Sequence, residues 1–536
     1  MPIRLVESRR LLLPVVFAVL GSAGSAVYAA DAPASDASPA KAEQHFDIQE
    51  YRVVGNTVLA GRDIERLLYP LLGKAKTLAD VEVARTALEK RYHDQGYGTV
   101  FVDIPPQTVD DGIVRLRVTE GRVERTLISG AHYFPERDVI AHLPAATAGT
   151  VLQVSKLQEE LVAVNTATPD RSVVPILKAG SAPGTVDLDL KVNDDLPLHG
   201  NLELNNQATI DTESLRSIAS LSYDDLFGRL DSLSLQYQAT PQQIDQVRVI
   251  AANYVSHVLD SGLQPSFMYI NSNSNVATVG TLGVLGIGEI YGARLAYPLT
   301  SQSPSTQSLT SGVDYKHFRN TINQNATTAL DTPISYLNLS LTYSGLWRGD
   351  EQTTTFSATA DGGPRGLVNN PTTFENDRYQ GHANYFYIRG DLATNLKLPA
   401  DFILRLRAAG QGATEPLITN EDYSIAGADG VRGYLESEEL GDKAIKETVQ
   451  LISPTLRTHE RALGDAYVFI DNGKMTVIDA LPGQPGGVTL RSWGSGFDIL
   501  PGQKITGSLT WAKALMNGSV TRAGESRVLF FLRGSF

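Results

Sequence analysis

The chain has 536 residues and no cysteine, and 46 lysines and arginines against 59 aspartates and glutamates give it a net charge of −13. The lack of cysteine excludes disulfides, thiolate metal sites and cysteine nucleophiles, and the acidic balance argues against a nucleic-acid-binding protein. Beyond the N-terminus no apolar segment approaches the roughly 18–20 residues of a membrane-spanning helix, so a membrane-embedded form would cross the bilayer with strands.

The N-terminus predicts export from the cytoplasm. Three arginines precede the apolar segment 11–20, and small residues follow it up to Ala29. This order is typical of a secretory signal peptide, which we place at residues 1–29. A membrane anchor is the alternative, but ten residues are too few to span a bilayer. Residues 30–45, rich in Ala, Pro, Ser and Asp, predict a flexible leader.

Residues 46–120 predict a small α+β unit in the order strand, helix, helix, strand, strand. The second helix begins at Thr77, where Asp80 completes a capping box, and ends at Gly96, which suits a left-handed cap. Its apolar residues recur at spacings of three and four and predict one buried stripe: Leu78, Val81, Ala84, Leu88 and Tyr92. The strands and the first helix are expected at 49–54, 63–72, 99–103 and 113–119.

Residues 121–194 repeat the same order of elements. Strands are expected at 123–128, 173–177 and 186–192, and a short helix at 135–142. Ser155, with Gln158 three residues later, predicts the cap of a second helix that buries Leu157, Leu161 and Val164. A repeat of about 75 residues indicates two tandem domains of one kind.

From about residue 195 to the C-terminus the pattern changes to that of a membrane barrel. Segments of roughly ten residues alternate strictly between apolar and polar side chains, as in LDSLSLQYQ, YLNLSLTYS and DFILRLRAA. Over about 340 residues behind a signal peptide, this alternation predicts an all-β barrel, apolar toward lipid and polar toward the lumen. The length accommodates about 16 antiparallel strands, which enclose a water-filled bore.

The last ten residues, RVLFFLRGSF, predict a barrel-assembly signal. One face of this strand carries Val528, Phe530, Leu532 and Phe536, and the other carries Arg527, Arg533 and Ser535. A terminal aromatic on an amphipathic strand resembles the recognition signal of bacterial outer-membrane proteins, which singles out Phe530, Leu532 and Phe536. An ordinary edge strand that ends in Phe is the alternative.

Several motifs resemble the TpsB-type transporters of two-partner secretion, the ShlB/FhaC-like exporters of haemolysins and haemagglutinins. GNTVL, GYGTVFVDIPPQ and VTEG are similar to the first POTRA (polypeptide-transport-associated) domain of that family, and VRGY and FIDNG match its most specific barrel motifs. The resemblance covers nearly the whole mature chain. It implies two α+β POTRA domains at 46–120 and 121–194, then a barrel at 195–536 whose VRGY loop (about 413–447) folds inward.

The resemblance implies an outer-membrane pore that captures an unfolded exoprotein in the periplasm and moves it to the cell surface. The implied partners are a secreted TpsA-type exoprotein, outer-membrane lipid and the barrel-assembly machinery, and the pore is expected to be monomeric. No cofactor, metal or nucleic acid is expected. Some family members close the barrel with an N-terminal helix, but residues 30–45 are short and carry prolines and few apolar positions. Either such a helix is absent here, or it is marginal and held only by the lumen.

Arg432 and Asp471 are the residues on which the predicted function is expected to depend most. The alternation of AYVFID places Phe469 and Asp471 on the lumen face, because an aspartate facing lipid would be costly. The resemblance implies that the VRGY loop brings Arg432 to Asp471, where guanidinium and carboxylate can bond bidentately. The alternative is that Arg432 merely lines a polar pore, as Arg405 and Arg407 are expected to do.

The other residues of the two motifs have supporting roles in this hypothesis. Gly433 would allow a tight bend at the loop tip, and Tyr434 could pack on the barrel wall. The predicted contact set is Val431, Arg432, Gly433, Tyr434, Phe469, Asp471 and Gly473.

A client-binding surface is predicted on the POTRA edge strands. Thr99, Val100, Phe101, Val102 and Asp103 form one candidate edge, and residues 173–177 form the other. An extended client could add to such an edge through its main chain with loose sequence demands. The alternative is that these edges are shielded or serve only folding.

No enzymatic activity is predicted. The sequence contains no HExxH, GxSxG or Walker A pattern. Three alternative functions are weighed: a factor that inserts other barrels, a passive porin, and a barrel enzyme such as a lipid hydrolase. Assembly factors generally carry more POTRA units than two, a porin would not need periplasmic client-binding modules, and the hydrolase lacks a nucleophile constellation.

Overall fold

The computed structural model describes residues 44–109, 111–210, 212–257, 262–274, 276–279, 282–300, 304–325, 328–458, 461–499 and 504–536. The predicted signal peptide and nearly all of the predicted leader lie outside the described residues. The chain forms two compact units that meet in sequence between Asp195 and Leu196.

The first unit contains two successive modules, each built on a three-stranded mixed sheet. The first module contains β1 (Phe46–Ile48), β2 (Glu50–Val54), α1 (Gly61–Leu68), β3 (Gly73–Lys76), α2 (Leu78–Asp94), β4 (Phe101–Asp103) and β5 (Ile113–Thr119). The second contains β6 (Arg122–Ser129), α3 (Glu136–Ala141), α4 (Val154–Ala167), β7 (Arg171–Ala179) and β8 (Thr185–Asp194). Their sheets have equivalent orders, β2-β5-β4 and β6-β8-β7, with one parallel and one antiparallel pair each.

Helix α2 begins and ends where the sequence predicts. Thr77 and Asp80 form a reciprocal capping box, and the hydrogen bonds from Thr77 lower the pKa of the Asp80 carboxyl. Gly96 has a φ of +88°. The predicted stripe is buried except for Leu78, which is exposed because helical side chains lean toward the N-terminus and the first one points past the helix end.

Helix α4 begins differently from the prediction. Its N-cap residue is Gln153, without a side-chain cap, so the expected cap at Ser155 is wrong. The backbone N–H of Val154 instead donates to the Gly96 carbonyl at 2.8 Å, and the Gln153 side chain donates to the Gln95 carbonyl at 3.0 Å. The end of α2 thus satisfies the orphan amide of α4. As predicted, α4 buries Leu157, Leu161 and Val164.

A buried carboxylate joins the two modules. Glu120, the last residue before the second module, accepts hydrogen bonds from the backbone N–H groups of Thr57 (2.6 Å) and Val58 (3.1 Å). Arg122, the first residue of β6, donates to the same carboxylate at 3.3 Å and to the Thr57 hydroxyl at 2.7 Å. One acid therefore holds a turn of the first module and the first strand of the second.

The second unit is a closed antiparallel barrel, which confirms the predicted fold class. Its elements are β9 (Leu198–Asn205), β10 (Arg216–Leu226), β11 (Asp231–Ala239), β12 (Arg248–Val255), β13 (Gln264–Ser272), β14 (Val276–Val279), β15 (Leu282–Leu285), β16 (Gly288–Thr300), β17 (Ser305–Asn325), β18 (Thr328–Arg348), β19 (Gln352–Gly362), α5 (Pro371–Asp377), β20 (Phe386–Lys397), β21 (Ile403–Ala413), β22 (Tyr423–Ser424), β23 (Leu440–Gly441), β24 (Lys443–Ile452), β25 (Leu456–Thr458), β26 (Arg461–Thr476), β27 (Gly487–Ile499), β28 (Ile505–Ala514) and β29 (Ser526–Ser535).

Sixteen strands of the described chain form this barrel. Strands β24 and β25 both pair with β26 and are two parts of one strand, interrupted near Pro454. The hairpins β14–β15 and β22–β23 lie outside the barrel sheet. No helix among the described residues is long and apolar enough to cross a membrane.

The first and last strands close the barrel. Strands β29 and β9 pair over Phe531–Ser535, and Arg533 forms an ion pair with Glu203 across the junction. Phe536 exchanges two backbone hydrogen bonds with Gly200, at 3.0 and 3.3 Å. We call this end of the barrel the terminal end and the opposite end the loop end.

Side-chain exposure follows the predicted alternation. Along β26, Val468 and Ile470 are exposed on the outer surface, whereas Tyr467, Phe469 and Asp471 are buried on the inner one. On the last strand Val528 and Leu532 are exposed, and the C-terminal Phe536 is exposed as well. Exposed apolar side chains around a closed sheet are the surface that a bilayer covers.

Candidate functional site

The connection between β21 and β24 enters the lumen from the loop end. Its two arms pair briefly as β22 and β23, with Tyr423 opposite Gly441. Beyond that pairing, an apolar cluster packs the loop against inward-facing side chains of β24, β26, β27 and β28. The cluster consists of Ile425, Ala426, Val431, Tyr434, Ala444, Met475, Leu490 and Ala514. We call residues 417–424 the loop arm and residues 428–434 the loop tip.

The loop tip brings Arg432 onto Asp471. The Arg432 Nε and Nη2 atoms each donate to one carboxylate oxygen at 2.8 Å, which is a bidentate pair, and the Arg432 backbone N–H donates at 3.1 Å. The Thr448 hydroxyl donates a further hydrogen bond at 2.9 Å. Asp471 thus accepts four hydrogen bonds, enough to satisfy a fully buried carboxylate.

The guanidinium of Arg432 has two more partners on the wall. Its Nη1 donates to the Gln450 side chain at 3.0 Å, and its central carbon lies 3.3 Å from the centre of the Phe469 ring. The Arg432 side chain is 12% exposed and that of Asp471 is 0% exposed. Phe469, a member of the predicted FIDNG motif, therefore stacks on the cation that the same motif's aspartate binds.

Glycines provide the space that this arrangement needs. Gly433 has a φ of +100°, a conformation that other residues adopt only with strain. A Cβ atom on Gly473 would lie 2.7 Å from the Val431 Cγ2 atom, and one on Gly494 would lie 2.5 Å from the Phe469 Cζ atom. Gly433 and Gly473 belong to the two predicted motifs, whereas Gly494 belongs to no motif and carries no signal in the sequence.

Tyr434 fixes the loop tip to the neighbouring wall. Its ring is buried, and its hydroxyl lies 3.0 Å from the Arg491 carbonyl oxygen and 2.8 Å from that of Met516. The Met516 backbone N–H donates to this hydroxyl at 3.2 Å. The tip is thereby attached to β27 and to the segment that follows β28, as well as to β26.

Arg407 also binds the loop tip, so the expectation that it merely lines the pore is wrong. Its guanidinium forms ion pairs with Asp429 of the tip at 2.5 Å and with Asp391 of β20 at 2.6 Å. Lys446 approaches the same Asp429 carboxylate at 3.3 Å. Alternation places Arg407 in the lumen but cannot reveal a partner that arrives on a loop. Arg405, by contrast, donates to Asn395 on the adjacent strand at 2.9 Å.

The predicted client-binding edge is partly occupied. Strand β4 covers only Phe101–Asp103, so Thr99 and Val100 precede it, and among the described strands β4 is an edge of its sheet. The Val102 N–H donates to Glu89 of α2 at 3.1 Å, and the Val102 carbonyl accepts from Arg85 of α2 at 3.3 Å. On this edge Phe101 is exposed and Asp103 pairs with Arg117.

The edge of the second module is occupied in the same way. Strand β7 is the edge of its sheet among the described strands. Asn165 of α4 binds both backbone groups of Val173, accepting from its N–H at 2.7 Å and donating to its carbonyl at 3.0 Å. In each module, therefore, the long helix covers one residue of the free edge.

Comparison with known proteins gives a consistent assignment. A family model described as "POTRA domain, ShlB-type" matches residues 46–121, and one described as "Haemolysin secretion/activation protein ShlB/FhaC/HecB" matches residues 184–496. The heme/hemopexin transporter protein HuxB of Haemophilus influenzae (strain 86-028NP) is 21% identical over 401 residues, covering 74% of this chain and 70% of HuxB.

Two solved structures share the fold over nearly the whole chain. CdiB from Escherichia coli superposes with a TM-score of 0.58 at 16% identity, covering 94% of this chain and 93% of CdiB. BamA from Haemophilus ducreyi lacking POTRA domains 1–3 also gives a TM-score of 0.58, at 13% identity, covering 92% of this chain and 100% of that structure. At these identities the superpositions establish the fold alone.

Proposed function

Because this chain belongs to the haemolysin secretion/activation protein family ShlB/FhaC/HecB, we propose that its barrel conducts an unfolded exoprotein of the TpsA type from the periplasm to the cell surface. The chain is a two-partner secretion transporter of the bacterial outer membrane, with its POTRA region in the periplasm. The chain enters β9 and leaves β29 at the terminal end of the barrel, so we place that end on the periplasmic side and the loop end outside.

The Arg432–Asp471 pair is the contact that holds the loop in the lumen at rest. Its bidentate geometry and the stacked Phe469 ring support this role. Passage of a polypeptide requires the loop tip to leave the bore, so the pair must open when the exoprotein engages. Water in the lumen and polar groups of the client can replace hydrogen bonds of the tip and offset part of the cost of breaking this buried pair.

We propose no catalytic step for this chain. Export is driven by sequential binding of the exoprotein and by its folding at the surface, which removes the unfolded form from the equilibrium. The POTRA edges contribute the first binding step once the helix side chains on Val102 and Val173 withdraw. Outer-membrane lipid surrounds the exposed apolar wall, the barrel-assembly machinery inserts the chain through its C-terminal strand, and the pore works as a monomer.

The central test replaces Arg432 by alanine in cells that express the cognate exoprotein. The variant is expected to insert into the outer membrane at the normal level, because the wall strands keep their pairing, but to secrete poorly, because the loop loses its defined position. Arg294→Ala is the matched control, since Arg294 forms a bidentate pair with Asp314 of the adjacent wall strand at 2.6 and 2.8 Å. Full secretion by the Arg432 variant refutes the proposed role.

A barrel-assembly factor is the second candidate, because the fold shared with BamA is compatible with that function as well. The two functions differ in the proteins that depend on them: an exporter serves a large exoprotein, whereas an assembly factor serves many unrelated barrels. Deletion of this chain is expected to abolish surface appearance of one exoprotein and to leave the amounts of other outer-membrane barrels unchanged. A general loss of outer-membrane barrels would assign the chain to the assembly class.

A further inference from the structure

A second buried contact holds the loop arm. The Glu421 side chain is 1% exposed, and its Oε1 atom forms an ion pair with Lys316 Nζ at 2.6 Å. The Tyr387 hydroxyl donates to Oε2 at 2.6 Å, and the Tyr336 hydroxyl donates to Oε1. All three partners are inward-facing residues of β17, β18 and β20, so the carboxylate bridges the arm to three wall strands.

The main chain of the same residue is also bound. The Glu421 carbonyl accepts from Arg389 Nη2 at 3.0 Å and from Gln411 Nε2 at 3.1 Å. The Arg389 guanidinium lies 4.6 Å from the centre of the Tyr387 ring. We call Glu421 and its partners Lys316, Tyr336, Tyr387, Arg389 and Gln411 the Glu421 cluster; it joins one loop residue to β17, β18, β20 and β21.

The Glu421 cluster lies within an apolar part of the lumen. Phe374 of α5 packs edge-on against Tyr336 with ring centres 5.6 Å apart, and both rings are buried. Leu417 and Ile418 of the loop arm belong to the same buried cluster. Water is excluded there, so detaching the arm would leave a buried cation and hydroxyls without their acceptor, a costly outcome in a low-dielectric surrounding.

The loop tip is bound to a different part of the wall, and one of its ion pairs is open to water. Its partners Lys446, Asp471 and Arg491 belong to β24, β26 and β27. The carboxylate of Asp429, which pairs with Arg407 and Lys446, is 50% exposed. Exposed ion pairs contribute little net stability because water competes for both charges. Arg432 and Asp471 are as buried as Lys316 and Glu421, so the two ends of the loop differ at Asp429: the tip has a water-accessible ion pair at which a client can begin to displace it, whereas the ion pair of the arm is closed to water.

We propose that the Glu421 cluster is the fixed pivot of the loop: when the exoprotein passes, the tip leaves β24, β26 and β27 while the arm stays bound to β17–β21. Glu421 is in this sense a positioning residue that returns the tip to Asp471 after each passage. The inference rests on the proposed export function, because it concerns the state in which a client occupies the lumen. In this arrangement the client passes along the side of the lumen that is lined by β24–β28.

Pairs of spin labels on the full chain test this pivot. The natural sequence has no cysteine, so two introduced cysteines are the sole labelling sites. Thr419→Cys reports on the arm, Ala428→Cys reports on the tip, and each is combined with Asp350→Cys in the exposed connection between β18 and β19. Distances are measured by pulsed electron resonance at rest and with a cognate exoprotein arrested in the pore by a folded, disulfide-closed domain at its C-terminus.

The arm and the tip are expected to respond differently. The 428–350 distance should shift by at least about 5 Å, roughly one strand spacing, while the 419–350 distance should keep its mean and width. Equal shifts of both labels overturn the pivot, and so does a stationary tip. Each labelled protein is first assayed for secretion: failure of every variant, and of the unlabelled chain, to secrete rejects the export function, whereas secretion with a moving arm rejects the pivot alone.

A substitution series on Glu421 separates positioning from folding. Glu421→Gln keeps the shape but removes the charge that Lys316 faces, and Glu421→Asp keeps the charge on a shorter stem. In Glu421→Gln the 419–350 distance distribution is expected to broaden at rest with normal barrel insertion, and the Asp variant should restore part of the narrow distribution. An unchanged distribution in Glu421→Gln contradicts the assignment of the fixed point to this residue.

Discussion

At the scale of single residues, the loop tip depends on one cation with three kinds of partner. Arg432 is bound by a carboxylate, an amide oxygen and an aromatic face. The planar guanidinium can satisfy all three at once, whereas an ammonium offers neither the bidentate fork nor a stacking plane. Removal of one partner from a buried pair typically costs about 3–5 kcal/mol, and a cation–π contact contributes about 0.5–2 kcal/mol.

These magnitudes predict an order of effects. Secretion is expected to fall most in Arg432→Ala, less in Arg432→Lys, which keeps the charge, and least in Phe469→Leu, which removes only the ring. The amount of exoprotein in the medium, normalised to the amount of inserted barrel, measures this order. A Lys variant that secretes as well as the natural chain would show that charge alone positions the tip.

The close approach of Gly473 to Val431 gives a second prediction for single residues. Gly473→Ala introduces a Cβ atom 2.7 Å from Val431 Cγ2, so it should displace the loop tip and lower secretion. Val431→Ala removes that methyl group and leaves the Ile425 Cβ atom, at 3.2 Å, as the nearest neighbour, so the double variant is expected to recover secretion in part. Gly412→Ala is the control, because a Cβ there meets nothing within 4 Å. Lack of recovery in the double variant would place the defect outside this contact.

At the scale of elements, the patterns that the sequence reveals are the local ones. The stripe of α2, the capping box at Thr77 and the alternation along β26 depend on spacings of two to four residues, so they are visible without a structure. The sequence predicts the wrong cap for α4, because the group that binds the first amide of this helix, the Gly96 carbonyl, lies in the other module. Lys316 and Glu421 are 105 residues apart, and Asp429 reaches Arg407 only because the loop folds inward; no periodicity encodes such pairs.

The edge strands of the first unit give a prediction at the scale of elements. Asn165 occupies both backbone groups of Val173, so Asn165→Ala should free them for an incoming strand and tighten binding of an extended client. Binding of a peptide from the N-terminal region of the exoprotein to the full chain in detergent measures the effect. Thr166→Ala is the control. Within the described chain, the hydrogen bonds of the Thr166 hydroxyl all go to carbonyl groups of its own helix. Weaker binding in the Asn165 variant would mean that the edge is not the client site.

At the scale of the whole molecule, export requires both units, but the pore requires one. The units divide between Asp195 and Leu196, and the barrel closes through β9 and β29 without any strand from the first unit. A barrel with a fixed loop and no periplasmic module would still insert and would still contain a lumen. It would have no means of presenting an unfolded client to that lumen.

Deletion of residues 46–194 tests this division of labour. The truncated chain keeps all sixteen barrel strands and the Arg432–Asp471 pair, so single-channel conductance in planar bilayers should resemble that of the full chain. Release of the exoprotein should be lost, because the strand edges proposed to capture it are gone. A passive porin releases no exoprotein with or without the first unit, so client release by the full chain already excludes that function. Continued secretion by the truncated chain would assign client recognition to the barrel itself and leave the first unit without a role in transport.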